Sequence, residues 1–176
     1  MNELREKRKK QTAEVFTPDS LARDMLDKLP PVVWQEGKTF CDPACGNGQF
    51  LAQVLNRKIQ RGHKPVDALK TIYGADIMID NIKECRLRLL KIISDHESVG
   101  ERHVHFMFQN IVWINQKRHP EGSLNYDFSF KNKVNSKDVK RWMDYIHKDG
   151  VLSEVDLTVS EEKFLRHGEQ DMFFDL

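Results

Sequence analysis

The first apolar stripe in the chain has a helical period. Leu21, Met25, Leu26 and Leu29 recur at helical spacing, and Thr17-Pro18 stands ahead of them as a start signal. Threonine is a good N-cap, and proline at the first helical position gives up no needed N–H. Pro30-Pro31 then ends the pattern. Thr39-Phe40-Cys41-Asp42 is short and apolar, a buried-strand pattern that runs into a glycine-rich turn. Phe50, Leu51, Val54 and Leu55 predict a helix closing near Gly62. Thr71–Asp76 reads as a second strand. A helix with Ile82, Cys85, Leu89, Ile92 and Ile93 on one side follows it, and His103–Gln109 reads as a third strand. Strands separated by helices imply parallel pairing through crossovers, an α/β sheet. Beyond residue 110 the pattern weakens. Val139, Trp142, Met143 and Ile146 predict one more helix, with Ser136 as cap and Gly150 as stop. Val155, Leu157 and Val159 alternate with polar residues, as in a late half-exposed strand.

The 176 residues amount to about one domain. The net charge is +1, which excludes a polycation that grips nucleic acid by bulk charge. Residues 1–10 nonetheless carry net +3 and residues 151–176 net −5, a basic head and an acidic tail. No apolar run approaches the ~20 residues of a membrane helix, and no apolar stretch follows the basic N-terminus as in a secretory signal. Three cysteines, Cys41, Cys45 and Cys85, do not make a disulfide framework, and a cytoplasmic setting is expected. Cys41 and Cys45 lack zinc-type partners and read as small buried residues. His103 and His105, on one side of a predicted strand, read as ordinary strand histidines, so no metal site is expected.

The segment Asp42-Pro43-Ala44-Cys45-Gly46-Asn47-Gly48 carries the most chemistry. Glycines between a strand and a helix bring the backbone close to a ligand, and free amides at the helix start attract an anion. Leu51 stands where a dinucleotide fingerprint has its third glycine, and the Gly-Lys-Ser/Thr of a P-loop is absent. Asp42 just ahead of the turn would repel a pyrophosphate and suits a ligand with a positive amino group. Asp76, at the end of the second predicted strand, suits a ribose diol. Asp42, Gly46, Gly48 and Asp76 thus describe a pocket for an amino acid joined to a nucleoside, such as S-adenosylmethionine.

These residues resemble the N6-adenine DNA methyltransferases, the amino-methylating group related to the modification subunits of restriction systems. Glu14-Val15-Phe16-Thr17-Pro18 resembles that family's N-terminal motif, Asp42–Gly48 its cofactor loop, and Gly74-Ala75-Asp76 with Glu84–Leu89 its ribose-binding strand and following helix. The resemblance covers roughly residues 7–112. It implies a class I S-adenosylmethionine-dependent methyltransferase, a Rossmann-like α/β fold in truncated or minimal form. It further implies that S-adenosylmethionine is held by Phe16, Thr17, Pro18, Asp42, Pro43, Ala44, Gly46, Gly48, Asp76 and Ile77, with Asn110 near the adenine. DNA is the implied partner, and a second methyltransferase or specificity subunit is a further candidate. On this reading the chain divides into a basic arm (1–15), the cofactor domain (16–130), a divergent continuation (131–165) and an acidic aromatic tail (166–176).

The family's catalytic Asn/Asp/Ser-Pro-Pro-Tyr/Phe tetrapeptide is not found. It holds the exocyclic amine of adenine as the amine attacks the methyl group, and its aromatic ring stacks on the flipped base. Pro30-Pro31 precedes the cofactor loop and follows Leu29, which has no amide; Asn125 and Tyr126 are the weak substitutes. Little chain remains to read a DNA sequence. Lys131, Lys133, Lys137, Lys140 and Arg141 suit either phosphate contact or a solvated face. Gln170–Leu176 resembles the short tails that bind DNA sliding clamps, and packing on the domain is the alternative. Three functions stay open: an adenine methyltransferase, perhaps completed by a second chain; an inactive accessory protein on the same scaffold; and an interaction module working through its tail.

Overall fold

The computed structural model describes residues 17–114, 117–118, 124–125, 134–148, 151–153 and 155. The first helix, α1, runs Asp19–Asp27, with Pro18 in the cap position; Thr17 lies one residue further out than its expected capping role. Only Ala22 and Leu26 of α1 are buried, while Leu21, Met25 and Leu29 are exposed. The expected stripe is thus halved, because α1 lies chiefly against one other helix and a single i, i+4 pair suffices for that contact. A 3₁₀ turn, Pro31–Trp34, follows and seats Trp34 against Phe40.

Among the described residues, three parallel strands form the central sheet: β1 (Phe40–Asp42), β2 (Ile72–Asp76) and β3 (Ile111–Trp113), in the order β1-β2-β3. Phe40 lies beside Ile72, Asp42 beside Gly74, Ala75 beside Val112 and Asp76 beside Trp113. Helix α2 (Gln49–Gln60) and the short α3 (Pro65–Lys70) connect β1 to β2, and α4 (Ile79–Ser94) leads on from β2. Helices α2 and α4 pack on each other and against the strands. Leu51, Leu55, Ile82, Leu89 and Ile93 fill this layer completely buried, at about 1.5–3 kcal/mol of burial apiece. Gly74 makes the close approach possible: a Cβ there would lie 2.6 Å from a Leu51 methyl. The opposite face of the sheet carries a smaller cluster of Ala75, Val112 and Ile114, with Ile77 at its side.

The segment expected as the third strand is a helix. Helix α5 spans Glu101–Asn110, and the strand begins only at Ile111. His103, Val104, Met107 and Asn110 are its buried residues, a helical rather than a twofold spacing. His103 caps its own helix, its Nδ1 accepting the Gly100 N–H at 3.0 Å while Nε2 lies 2.8 Å from Glu97. His103 and His105 therefore share no strand face; His103 is buried and His105 exposed.

Residues Lys117–Arg118 (β4) and Leu124–Asn125 (β5) form a separate antiparallel pair. Helix α6, Ser136–Ile146, is capped by Asn135, whose side chain accepts the Lys137 N–H, rather than by Ser136. It ends before Gly150, which lies outside the described residues, and packs Val139, Trp142 and Ile146 against α5 and the core. Val155 is buried in that core without strand pairing, and Leu157 and Val159 lie outside the described residues.

Candidate functional site

The C-terminal ends of β1 and β2 bring Asp42 and Asp76 within electrostatic reach of each other, Asp42 in register with Gly74 two residues before Asp76, with the glycine-rich turn after Asp42. Asp42 closes β1 and turns its own Oδ1 onto the Ala44 N–H at 3.1 Å, which starts the turn. The Cys45 N–H donates to the Ala75 carbonyl at 2.9 Å, and the Gly46 N–H donates to Asp76 Oδ2 at 3.0 Å, so the loop is laced to β2. Gly48 then opens α2 with φ +80°. A Cβ on Gly48 would lie 2.4 Å from the Cys85 sulfur, so only glycine lets the loop sit this close to α4.

Asp76 is buried and well supplied with donors. Its Oδ1 accepts the Met78 N–H at 2.7 Å and, more loosely, the Asn81 amide at 3.3 Å. Burial pushes the Asp42 carboxyl up, the Ala44 N–H pulls it partly back, and the Asp76 charge pushes it up again. Two carboxylates at adjacent strand ends favour a ligand that brings positive charge and hydroxyl donors.

Behind the turn, α4 supplies a polar brace. Asn47 donates to Glu84 at 2.9 Å; Arg88 donates to the Asn47 carbonyl at 3.1 Å and pairs with Glu84 at 2.9 Å. The Cys45 thiol is pushed well up by its contact with the Cys85 thiol and by burial, and it stays protonated. Cys41, expected to be buried, is exposed on β1, because odd positions of this strand face away from the helix layer.

The remaining expected residues divide. Pro43 and Ala44 lie exposed in the turn, and Ile77 follows Asp76 with its carbonyl accepting from the Trp113 indole at 3.0 Å. Thr17 and Pro18 are brought toward the start of α2 through Asp19, which accepts from Gln49 at 2.9 Å and also from Gln53. Phe16 and Tyr126 lie outside the described residues, and Asn125 sits in β5. Asn110 corrects the expectation for it. It ends α5, buried, and its amide donates to the Leu69 and Lys70 carbonyls ahead of β2, at the opposite end of the sheet. Trp113 and Ile114 lie beside Asp76 instead, with the Ile114 N–H donating to the Asp76 carbonyl at 2.8 Å.

Sequence reasoning gave no individual role to Asn47, Asn81, Glu84 or Arg88, although Asn47 lies in the cofactor loop and Glu84 and Arg88 in the following helix that carry the resemblance. The i, i+4 spacing of Glu84 and Arg88 marks a solvated face on most helices. On α6, Lys137, Lys140 and Arg141 are exposed, as both phosphate contact and a solvated face require, and Lys131 and Lys133 lie outside the described residues. Among the described residues no three His, Cys, Asp or Glu side chains are grouped to hold a metal ion, and no helix is long and apolar enough to cross a membrane.

A parallel sheet with a glycine turn after its first strand and an acidic residue closing its second defines a minimal, Rossmann-like class I S-adenosylmethionine-dependent methyltransferase fold. The chain belongs to the N-6 DNA Methylase family, whose model matches residues 1–149. It is similar to the Type II methyltransferase M.VspI of Vibrio sp. (strain 343), with 36% identity over 99 residues, 56% of this chain and 22% of that protein. The chain thus matches less than a quarter of that relative's length. No solved structure matches it.

Proposed function

We propose that the chain binds S-adenosylmethionine at the ends of β1 and β2 and serves as the cofactor-binding half of a DNA N6-adenine methyltransferase. The observation that carries this reading is the pair Asp42 and Asp76 flanking a turn whose Gly46 amide already points at carboxylate. Bound there, the cofactor supplies an electrophilic methyl group. Asp76 accepts three hydrogen bonds from the protein, out of roughly four a carboxylate can take. A ribose diol therefore takes the open position and displaces the long Asn81 contact. Asp42 faces the charged amino acid end, with Thr17 and Pro18 along the approach. DNA is the substrate this reading requires, and the cytoplasm its setting.

A second reading, a non-catalytic accessory on the same scaffold, is favoured by one observation: the 176 residues hold no Asn/Asp/Ser-Pro-Pro-Tyr/Phe. Calorimetric titration with S-adenosylmethionine tests the shared premise. Wild type binds, and Asp76→Ala and Asp42→Asn each lose about tenfold or more in affinity; unchanged affinity in both variants sinks the site. A methyl-transfer assay on mixed-sequence DNA then separates the readings, because label in N6-methyladenine from the purified chain alone rejects the accessory role.

A further inference from the structure

Asn47 stands in the turn between Gly46 and Gly48, whose φ values of +51° and +80° are both left-handed. Glycine gives up more conformational freedom on ordering than any other residue, so a turn with two of them is soft unless its neighbours fix it. The Gly46 N–H is fixed by Asp76, and the Gly48 N–H by the Cys45 carbonyl at 2.8 Å. Asn47 is fixed from α4. Arg88 Nε donates to the Asn47 carbonyl, and Arg88 Nη2 donates to Glu84 Oε1, the same oxygen that accepts the Asn47 side-chain amide. One guanidinium, one carboxylate and one amide thus close a ring of hydrogen bonds. The ring is a costly way to hold a turn. Arg88 is buried and Glu84 nearly so, and the attraction of a buried ion pair is largely offset by its desolvation. The Asn47 Oδ1 is also buried with no hydrogen-bond partner among the described residues. A well-packed apolar pair would secure α4 about as well. It could not, however, aim a peptide group. The N–H groups of Ala44, Cys45, Gly46 and Gly48 donate within the protein, whereas among the described residues the Asn47 N–H meets no acceptor.

We infer that Arg88, paired with Glu84, is a positioning residue for the ligand: it sets the Asn47 peptide so that the turn meets the ligand's amino acid end. The inference rests on the proposed cofactor role. Arg88 is buried behind the turn, so it acts through Asn47 and not on the ligand. The ribose grip at Asp76 lies on β2, outside the ring. The two ends of the ligand therefore respond differently when the ring is opened. Positive charge alone does not replace Arg88. Lysine keeps a cation i, i+4 from Glu84, but it has a single nitrogen where the arginine fork spans a carboxylate and a carbonyl.

Calorimetric titration of three proteins with two ligands tests this. The proteins are wild type, Arg88→Lys, and the double variant Glu84→Ala with Arg88→Met, which leaves neither charge of the pair behind. The ligands are S-adenosylmethionine and 5′-methylthioadenosine, which keeps the nucleoside and lacks the amino acid. The double variant is expected to lose about tenfold or more in affinity for S-adenosylmethionine and less than about twofold for methylthioadenosine. Arg88→Lys is expected to lose affinity with the same selectivity, by about threefold or more. Retained binding of methylthioadenosine shows that the fold and the Asp76 grip are intact. Equal losses for the two ligands would mean that the ring only holds the fold together. Unchanged affinity of the folded double variant for S-adenosylmethionine would mean that the ring does not reach the site. Either result overturns the inference and leaves the cofactor reading standing. A wild type that does not bind S-adenosylmethionine overturns the cofactor reading, and this inference with it.

Discussion

Gly48 and Asp42 show what single residues do here. Alanine at 48 would force a left-handed φ on a side chain, costing about 1–2 kcal/mol. It would also drive a Cβ to 2.4 Å from the Cys85 sulfur and 2.9 Å from its Cβ, with about 1–3 kcal/mol of overpacking. Gly48→Ala is expected to lower unfolding stability by about 2–5 kcal/mol in urea titration. Adding Cys85→Ala recovers only part of the loss, since the Cβ contact remains. Asp42 works in the opposite direction. Burial, and after it the Asp76 charge, raise its pKa, so the native state holds this proton more tightly than the unfolded chain does. Stability then falls as pH climbs from the unfolded pKa to the raised folded one, and the loss stands in full above both. Asp42→Asn keeps an acceptor for Ala44 and removes the charge. The ligand-free variant should melt higher than wild type at neutral pH, and the two should converge near about pH 3. A variant that melts lower at neutral pH refutes this account. Both residues were legible in the sequence, because a glycine turn and an acidic strand end carry their chemistry in residue type alone.

At the scale of elements, legibility depended on which force held the segment. The turn, α2, β2 and α4 follow the apolar pattern, since each buries a broad face in one layer. The His103–Gln109 segment shows two competing patterns: polar and apolar residues alternate at 103–106, while 103, 104, 107 and 110 form a helical stripe. The helical stripe wins through tertiary contact, with α5 packed between α3 and α6 and capped by His103. Strand β3, three apolar residues, was too short to stand out beside it. The brace behind the cofactor turn was hidden for another reason, namely that burial of a charged pair is set by the neighbours of α4 and not by its own sequence. Glu84 and Arg88 side chains are 13% and 2% exposed. Glu84→Ala leaves Arg88 buried without its carboxylate and is expected to cost about 3 kcal/mol. Arg88→Met combined with Glu84→Ala should cost clearly less than the two single changes summed, because the orphaned charge is gone. A double-mutant cycle in urea checks this, and strictly additive losses would show that the pair does not act as a unit.

For the whole molecule, the proposed ligand bridges parts that otherwise hold together loosely. Helix α1 rests chiefly on α2 through Ala22, Leu26 and the Asp19 contacts, so its opening requires little of the core to break. The turn at 43–48, by contrast, is tied to β2 and to α4. A ligand seated on Asp42 and Asp76 and reached by Thr17 and Pro18 would connect α1 to both strand ends. Binding to the native state alone at a hundred times Kd contributes about 2.7 kcal/mol, or a rise of about 5–10 °C in Tm for a domain of this size. The gain should also be local. With S-adenosylmethionine present, amide exchange should slow most in Asp19–Asp27 and in the turn, and least in α6, which packs on α5 away from the strand ends. Hydrogen-exchange mass spectrometry resolves these segments. Protection spread evenly over α1 and α6, or a Tm rise without protection of α1, would place the ligand elsewhere and separate the N-terminal motif from the site.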